Sequence, residues 1–144
     1  MYFEDLSIGM TLKTAPAPIE EDEMTAFARR YDNLPLHTDR EYAKTTRFGR
    51  LIAPGVMAFM SVWAKYLEND LLGEELIAGK STKIEWFAPT FAGDALTATV
   101  TVTKLTERNA FNGLTELTFD IENQHGKLVM RNVTEAVVKR KPQV

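Results

Sequence analysis

Two textures divide the chain. From Ile19 to about Leu72 apolar residues recur at helical spacing, and from about Ser81 onward they alternate with polar ones. Met24, Phe27, Ala28 and Tyr31 fall at i, i+3, i+4 and i+7, one apolar face of a helix beginning near Ile19. The acids Glu20, Glu21, Asp22 and Glu23 suit its positive end, and Asn33 with Pro35 stops it. Thr38 and Glu41 form a capping-box pattern for a short helix over Asp39–Thr45, and Phe48-Gly49-Arg50 is a break. Pro54 then stands as a first-turn proline before VMAFMSVWAKYLENDLL. The first half of that helix is apolar on nearly every side, so it must be surrounded rather than laid on a surface. Residues 1–18 read as extended.

The second texture predicts strands. STKIEWF sets Thr82, Ile84 and Trp86 against Lys83, Glu85 and Phe87. In LTATVTVT, Leu96, Ala98, Val100 and Val102 share one side and threonines fill the other. Leu117, Phe119 and Ile121 alternate in the same way, and a last strand runs from about Lys127 to Lys139. Asn112-Gly113 and Gln124-His125-Gly126 are turn signals between these strands. One-sided alternation means an antiparallel sheet with one covered face. Helices first and strands after make an α+β domain, with the sheet wrapped around the long apolar helix. No repeat or linker divides the chain, so one domain spans 1–144.

Composition narrows the function classes. The 144 residues are 44% hydrophobic and 26% charged, as in an ordinary globular protein. A net charge of −3 without a basic cluster argues against a nucleic-acid partner. There is no cysteine, which excludes disulfides, thiolate zinc sites and a cysteine nucleophile. The opening MYFEDLSIGM lacks the basic and apolar regions of a signal peptide, and the run Leu51–Ala64, about 14 residues, is too short to span a bilayer. The expectation is a cytoplasmic protein with no membrane association.

Chemistry concentrates in YDNLPLHTDREYAKTTRFGRLIAPG, Tyr31 to Gly55. His37 is one of two histidines, and an imidazole can pass a proton in either direction near neutral pH. Asp32 lies five residues before it across a short, proline-stiffened loop. Gly55 begins the apolar helix, where a free N–H carries the positive end of the dipole and the missing side chain admits a ligand oxygen. Each feature alone is also ordinary structure: a helix stop, a turn histidine, a helix start. Together they supply an acid/base pair and an oxyanion donor.

The order Asp32-Asn33-Leu34-Pro35-Leu36-His37-Thr38-Asp39, Tyr42-Ala43, Phe48-Gly49, Ile52-Ala53-Pro54-Gly55 resembles the motif of the MaoC-like, R-specific enoyl-CoA hydratases (hydratase 2). Ile84-Glu85-Trp86, Pro89 and Gly93-Asp94-Ala95-Leu96 resemble that family's following strand and turn. The resemblance implies a hotdog fold and a homodimer or higher oligomer. It implies reversible hydration of trans-2-enoyl-CoA to (R)-3-hydroxyacyl-CoA, with no cofactor because coenzyme A belongs to the substrate. Acyl carrier protein is the alternative carrier. Asp32 and His37 would be the dyad that activates water, Gly55 the thioester oxygen's donor, and Asn33 and Ser61 supports behind the dyad. Two departures stand out. Pro54 replaces a histidine found in several members, and Met60 occupies the place of a serine, with Ser61 one residue further on.

Met57, Phe59 and Met60 read first as core, with an acyl-lining role possible for unbranched, adaptable side chains. Arg47, Arg50, Lys80 and Lys83 are candidate partners for coenzyme A phosphates, and His125 reads as a turn residue. The rival readings are a thioesterase on the same fold, which would want an acid early in the central helix, and a non-catalytic acyl-thioester binder.

Overall fold

The computed structural model describes residues 1–143, one residue short of the span read as a single domain. Its elements, in chain order, are β1 (Thr11–Lys13), β2 (Ala17–Pro18), α1 (Glu21–Tyr31), α2 (Pro35–Thr38), α3 (Arg40–Thr45), α4 (Gly55–Glu68), β3 (Leu76–Trp86), β4 (Ala95–Glu107), β5 (Asn112–Glu122) and β6 (Leu128–Lys139). The sheet is antiparallel with strand order β1-β4-β5-β6-β3, and β2 also pairs with β4.

The alternation of β4 and β5 becomes a covered face. Leu96, Ala98, Val100, Val102, Leu117, Phe119 and Ile121 are all fully buried. At roughly 1.5–3 kcal/mol for each large apolar side chain, this face is the main drive for docking α4. Phe119 receives Phe59 edge-on at 5.6 Å and Tyr66 at 5.3 Å, so the helix is anchored across two turns.

Several local readings change. The first 18 residues contain a 3-10 turn, Phe3–Asp5, as well as two short strands. Asn112-Gly113 is not a turn: both residues lie within β5, and the reversal is made by Asn109, whose Oδ1 accepts from Phe111 N and Asn112 N. Gly113 is needed for another reason, since a Cβ there would stand 2.4–2.6 Å from the Phe3 ring. Asp39, rather than Thr38, caps α3, its Oδ1 accepting from Glu41 N and Tyr42 N. Pro54 is the N-cap of α4 and Gly55 its first helical residue.

The expectation that α4 is surrounded holds for one side only. Ala58, Val62 and Tyr66 face the sheet and are buried. Val56, Met60, Ala64 and Leu67, spaced as one helical stripe, are exposed, because the one sheet this chain makes has a single inner face. β3 is an edge strand, exposed along most of its length and bearing Ile77, Trp86 and the following Phe87 at about half exposure. Among the described residues no helix is long and apolar enough to cross a membrane.

Candidate active site

The site is built where three chain segments meet. Asp32 terminates α1, its N–H bonded to Ala28 O. Pro35 does more than stop that helix: it opens the one-turn α2, where its fixed φ and absent N–H are suited to the first position. That turn places His37 inward, 5% exposed, with its N–H bonded to Leu34 O. The third segment, Leu51–Ala53, is clamped on both sides. Ile52 N bonds Leu36 O, Ala53 N bonds Thr90 O, and Ile52 bridges Phe91.

This clamp fixes the imidazole. His37 Nδ1 lies 2.7 Å from the Ile52 carbonyl oxygen, which can only accept, so Nδ1 donates. The other nitrogen, Nε2, lies 3.2 Å from Asp32 Oδ2. In a neutral ring that donates from Nδ1, Nε2 has only a lone pair to offer a carboxylate. The two groups stand within reach of one shared proton. His37 is almost enclosed while Asp32 remains 42% exposed, so the carboxyl group reaches both the ring and the open cleft.

That cleft has a volume of about 450 Å³. Asp32, His37, Gly55 and Val56 line it, facing the segment Trp86–Thr90, with Arg47 and Phe48 on a further side. As the first residue of α4, Gly55 cannot bond its N–H within the helix, and the N–H has no partner among the described residues. A free N–H at a helix start is a donor for an oxygen that gains negative charge. The structure also gives position 55 a steric reason to be glycine. The Trp86 indole packs against it so closely that a Cβ would lie 2.4–2.7 Å from Cε2, Nε1 and Cζ2.

Other candidates lie elsewhere. The Ser61 hydroxyl donates to Met57 O, 3.0 Å away and one turn back in α4. Asn33 is exposed, and its side chain makes no hydrogen bond among the described residues. Met57 and Phe59 are buried in the core, Met60 is exposed, and none of the three is a wall of this cleft. Arg47 lines the cleft and Arg50 a neighbouring one, whereas Lys80 and Lys83 lie on exposed β3 and line neither. His125 sits in the β5–β6 turn, its N–H bonded to Asn123 Oδ1. Sequence reasoning missed Trp86 as a site residue. The sequence showed only an aromatic pair, Trp86-Phe87, just ahead of Pro89.

The family described as MaoC like domain matches residues 4–122, most of the chain and all the segments that build the cleft. The chain belongs to the MaoC-like dehydratase family. The MaoC-like chain is 37% identical over 119 residues to the (R)-specific enoyl-CoA hydratase of Aeromonas caviae, covering 81% of this chain and 83% of the relative. The crystal structure of the MaoC-like dehydratase from Rhodospirillum rubrum superimposes with a TM-score of 0.90 at 30% identity over 99% of both chains. A Mycobacterium tuberculosis protein with a double hotdog fold matches at a TM-score of 0.83 and 17% identity, over 100% of this chain and 46% of its own. The fold of this MaoC-like domain is thus a single hotdog: an antiparallel sheet packed on a long helix.

Proposed function

We propose that this chain reversibly hydrates trans-2-enoyl thioesters to (R)-3-hydroxyacyl thioesters. The observation that carries the reading is the Asp32–His37 pair, 3.2 Å apart, at a cleft that also holds the Gly55 helix start. The R hand is suggested by the Aeromonas caviae relative, an (R)-specific enoyl-CoA hydratase.

The geometry supports the following roles. A water in the open cleft hydrogen-bonds to the Asp32 carboxyl group, which His37 Nε2 meets from behind. The pair takes one proton from it as the water oxygen bonds to C3 of the enoyl group. The displaced electrons move to the thioester oxygen, which the Gly55 N–H receives with the dipole of α4 behind it. The pair then returns one proton to C2 on the same face, so it ends in the state in which it began. Coenzyme A or acyl carrier protein would bear the acyl group as part of the substrate.

Thioester hydrolysis fits less well. Asp32 is the one carboxylate among the cleft's lining residues, and the acid of α4, Glu68, is paired with Lys65 at the far end of the helix. The same reading includes a homodimer. The exposed stripe Val56, Met60 and Leu67 and the bare edge strand β3 are surfaces that a second copy would cover. Sedimentation equilibrium of the purified chain tests this, with a stable monomer as the contrary result.

The activity test uses trans-2-butenoyl-CoA and longer homologues, following loss of the conjugated double bond and the chirality of the product. Formation of the (R)-3-hydroxyacyl-CoA is expected. Release of free coenzyme A thiol without hydration would transfer the chain to the thioesterases.

A further inference from the structure

A second cleft of about 360 Å³ adjoins the first, and Ala88 and Pro89 line both. Its floor is tightly built. Asp94, 7% exposed, accepts from Phe91 N through Oδ2 and from Gln124 Nε2 through Oδ1, both at 2.9 Å. Gln124 Oε1 in turn accepts from Ala95 N. Ile19 and the Gly93-Asp94 turn exchange two backbone hydrogen bonds of 2.8 Å. Both oxygens of the one carboxylate in this cleft are therefore engaged.

The remaining charged groups are cationic. Arg50 and Lys127 line the cleft, with the His125 imidazole beside them. The Arg50 guanidinium lies over the Phe91 ring, 3.7 Å from its centre. Stacking holds its plane and leaves its N–H edge available. Neither Arg50 nor Lys127 has a carboxylate partner among the described residues, and the same is true of Arg47 in the first cleft. In a chain of net charge −3, unpaired cations converge beside the cleft that holds Asp32 and His37.

A fixed arginine fork with a lysine point charge is suited to a phosphate ester. Resting on the hydration reading, we propose that this second cleft binds the phosphate of the substrate's 4′-phosphopantetheine arm. The acyl end lies at Asp32 and His37, the arm crosses the Ala88-Pro89 wall, and Arg50 and Lys127 receive the phosphate. That phosphate is common to coenzyme A and acyl carrier protein, so the cleft recognises the arm on either carrier.

Hydration kinetics with butenoyl-CoA, butenoyl-acyl carrier protein and phosphate-free butenoyl-pantetheine test the assignment in wild type, Arg50→Gln and Lys127→Gln. Loss of a charge-assisted hydrogen bond predicts KM raised about tenfold for both phosphorylated substrates, with kcat unchanged and no effect on the pantetheine thioester. Wild-type KM values in both variants overturn the site while leaving hydration intact. An effect confined to butenoyl-CoA overturns the pantetheine-phosphate assignment in favour of the nucleotide's phosphates. Calorimetric titration with coenzyme A gives a readout that does not need turnover. Binding weakened by both variants, in a wild type that hydrates nothing, keeps the phosphate site and removes the hydration reading.

Discussion

Gly55→Ala separates two physical effects of opposite sign. The glycine is the first residue of α4 and does not need a positive φ, so its backbone suits alanine. Helix propensity alone predicts a gain of up to about 1 kcal/mol. Packing predicts the reverse. The new Cβ would stand 2.4 Å from Trp86 Cε2 and 2.5 Å from Nε1, about 1 Å inside ordinary contact. The indole is half exposed and can tilt, so relief comes from losing its packing on the helix start rather than from moving the sheet. Overpacking of this kind costs about 1–3 kcal/mol. Urea unfolding of Gly55→Ala should therefore show destabilisation in that range with an unchanged m-value. In a Trp86→Ala background the same substitution should become neutral or stabilising, a coupling of about 2 kcal/mol in the double-mutant cycle. Hydration should fall in Gly55→Ala, because the displaced indole and the added methyl both crowd the Gly55 N–H. Gly55→Ala as stable as wild type with Trp86 in place would refute the steric account.

Two further outcomes concern stability. Asn132 is fully buried, donating from Nδ2 to Thr82 Oγ1 at 2.7 Å and accepting from Thr134 Oγ1 at 2.6 Å, so Asn132→Ala should cost about 1–3 kcal/mol by urea unfolding. On the surface, the Lys141 N–H and then Arg140 lower the Glu4 carboxyl, the Lys141 ammonium lowers Asp5, and the N-terminal ammonium lowers Glu75. Carboxyls lowered in the folded state contribute stability that is present above their unfolded values and lost as pH falls through the folded ones. The loss should appear below about pH 4.5. Melting temperatures measured against pH at low salt should fall less steeply on the acid side in Glu4→Gln than in wild type.

The legible parts of the sequence were those where one residue's letter decides the outcome. β4 was readable because its alternating side chains meet a helix on one face and solvent on the other. Asp32, His37 and Gly55 were readable because acid, imidazole and glycine are distinctive chemical types in a fixed order. Backbone partners left no such trace: the Ile52 carbonyl that sets the His37 tautomer could belong to any residue. Trp86 was hidden for a different reason, since it reaches Gly55 from a strand 31 positions later, placed by the β3–β6 register. Gly113 was misread because its requirement comes from Phe3, at the other end of the chain. The open stripe of α4 was equally illegible, as periodicity reports apolar faces and not what covers them. Ser61 shows the limit of resemblance: its hydroxyl bonds back to its own helix instead of reaching the dyad.

The central claim is that Asp32 and His37 act as one proton-handling unit on water. Hydration rates of trans-2-butenoyl-CoA by wild type, Asp32→Asn, His37→Gln and the double variant test it most directly. Each single variant should lose about two to four orders of magnitude in kcat. The double variant should be little worse than the poorer single one, because removing either partner disables the unit. Hydration near the wild-type rate in either folded single variant would contradict the account.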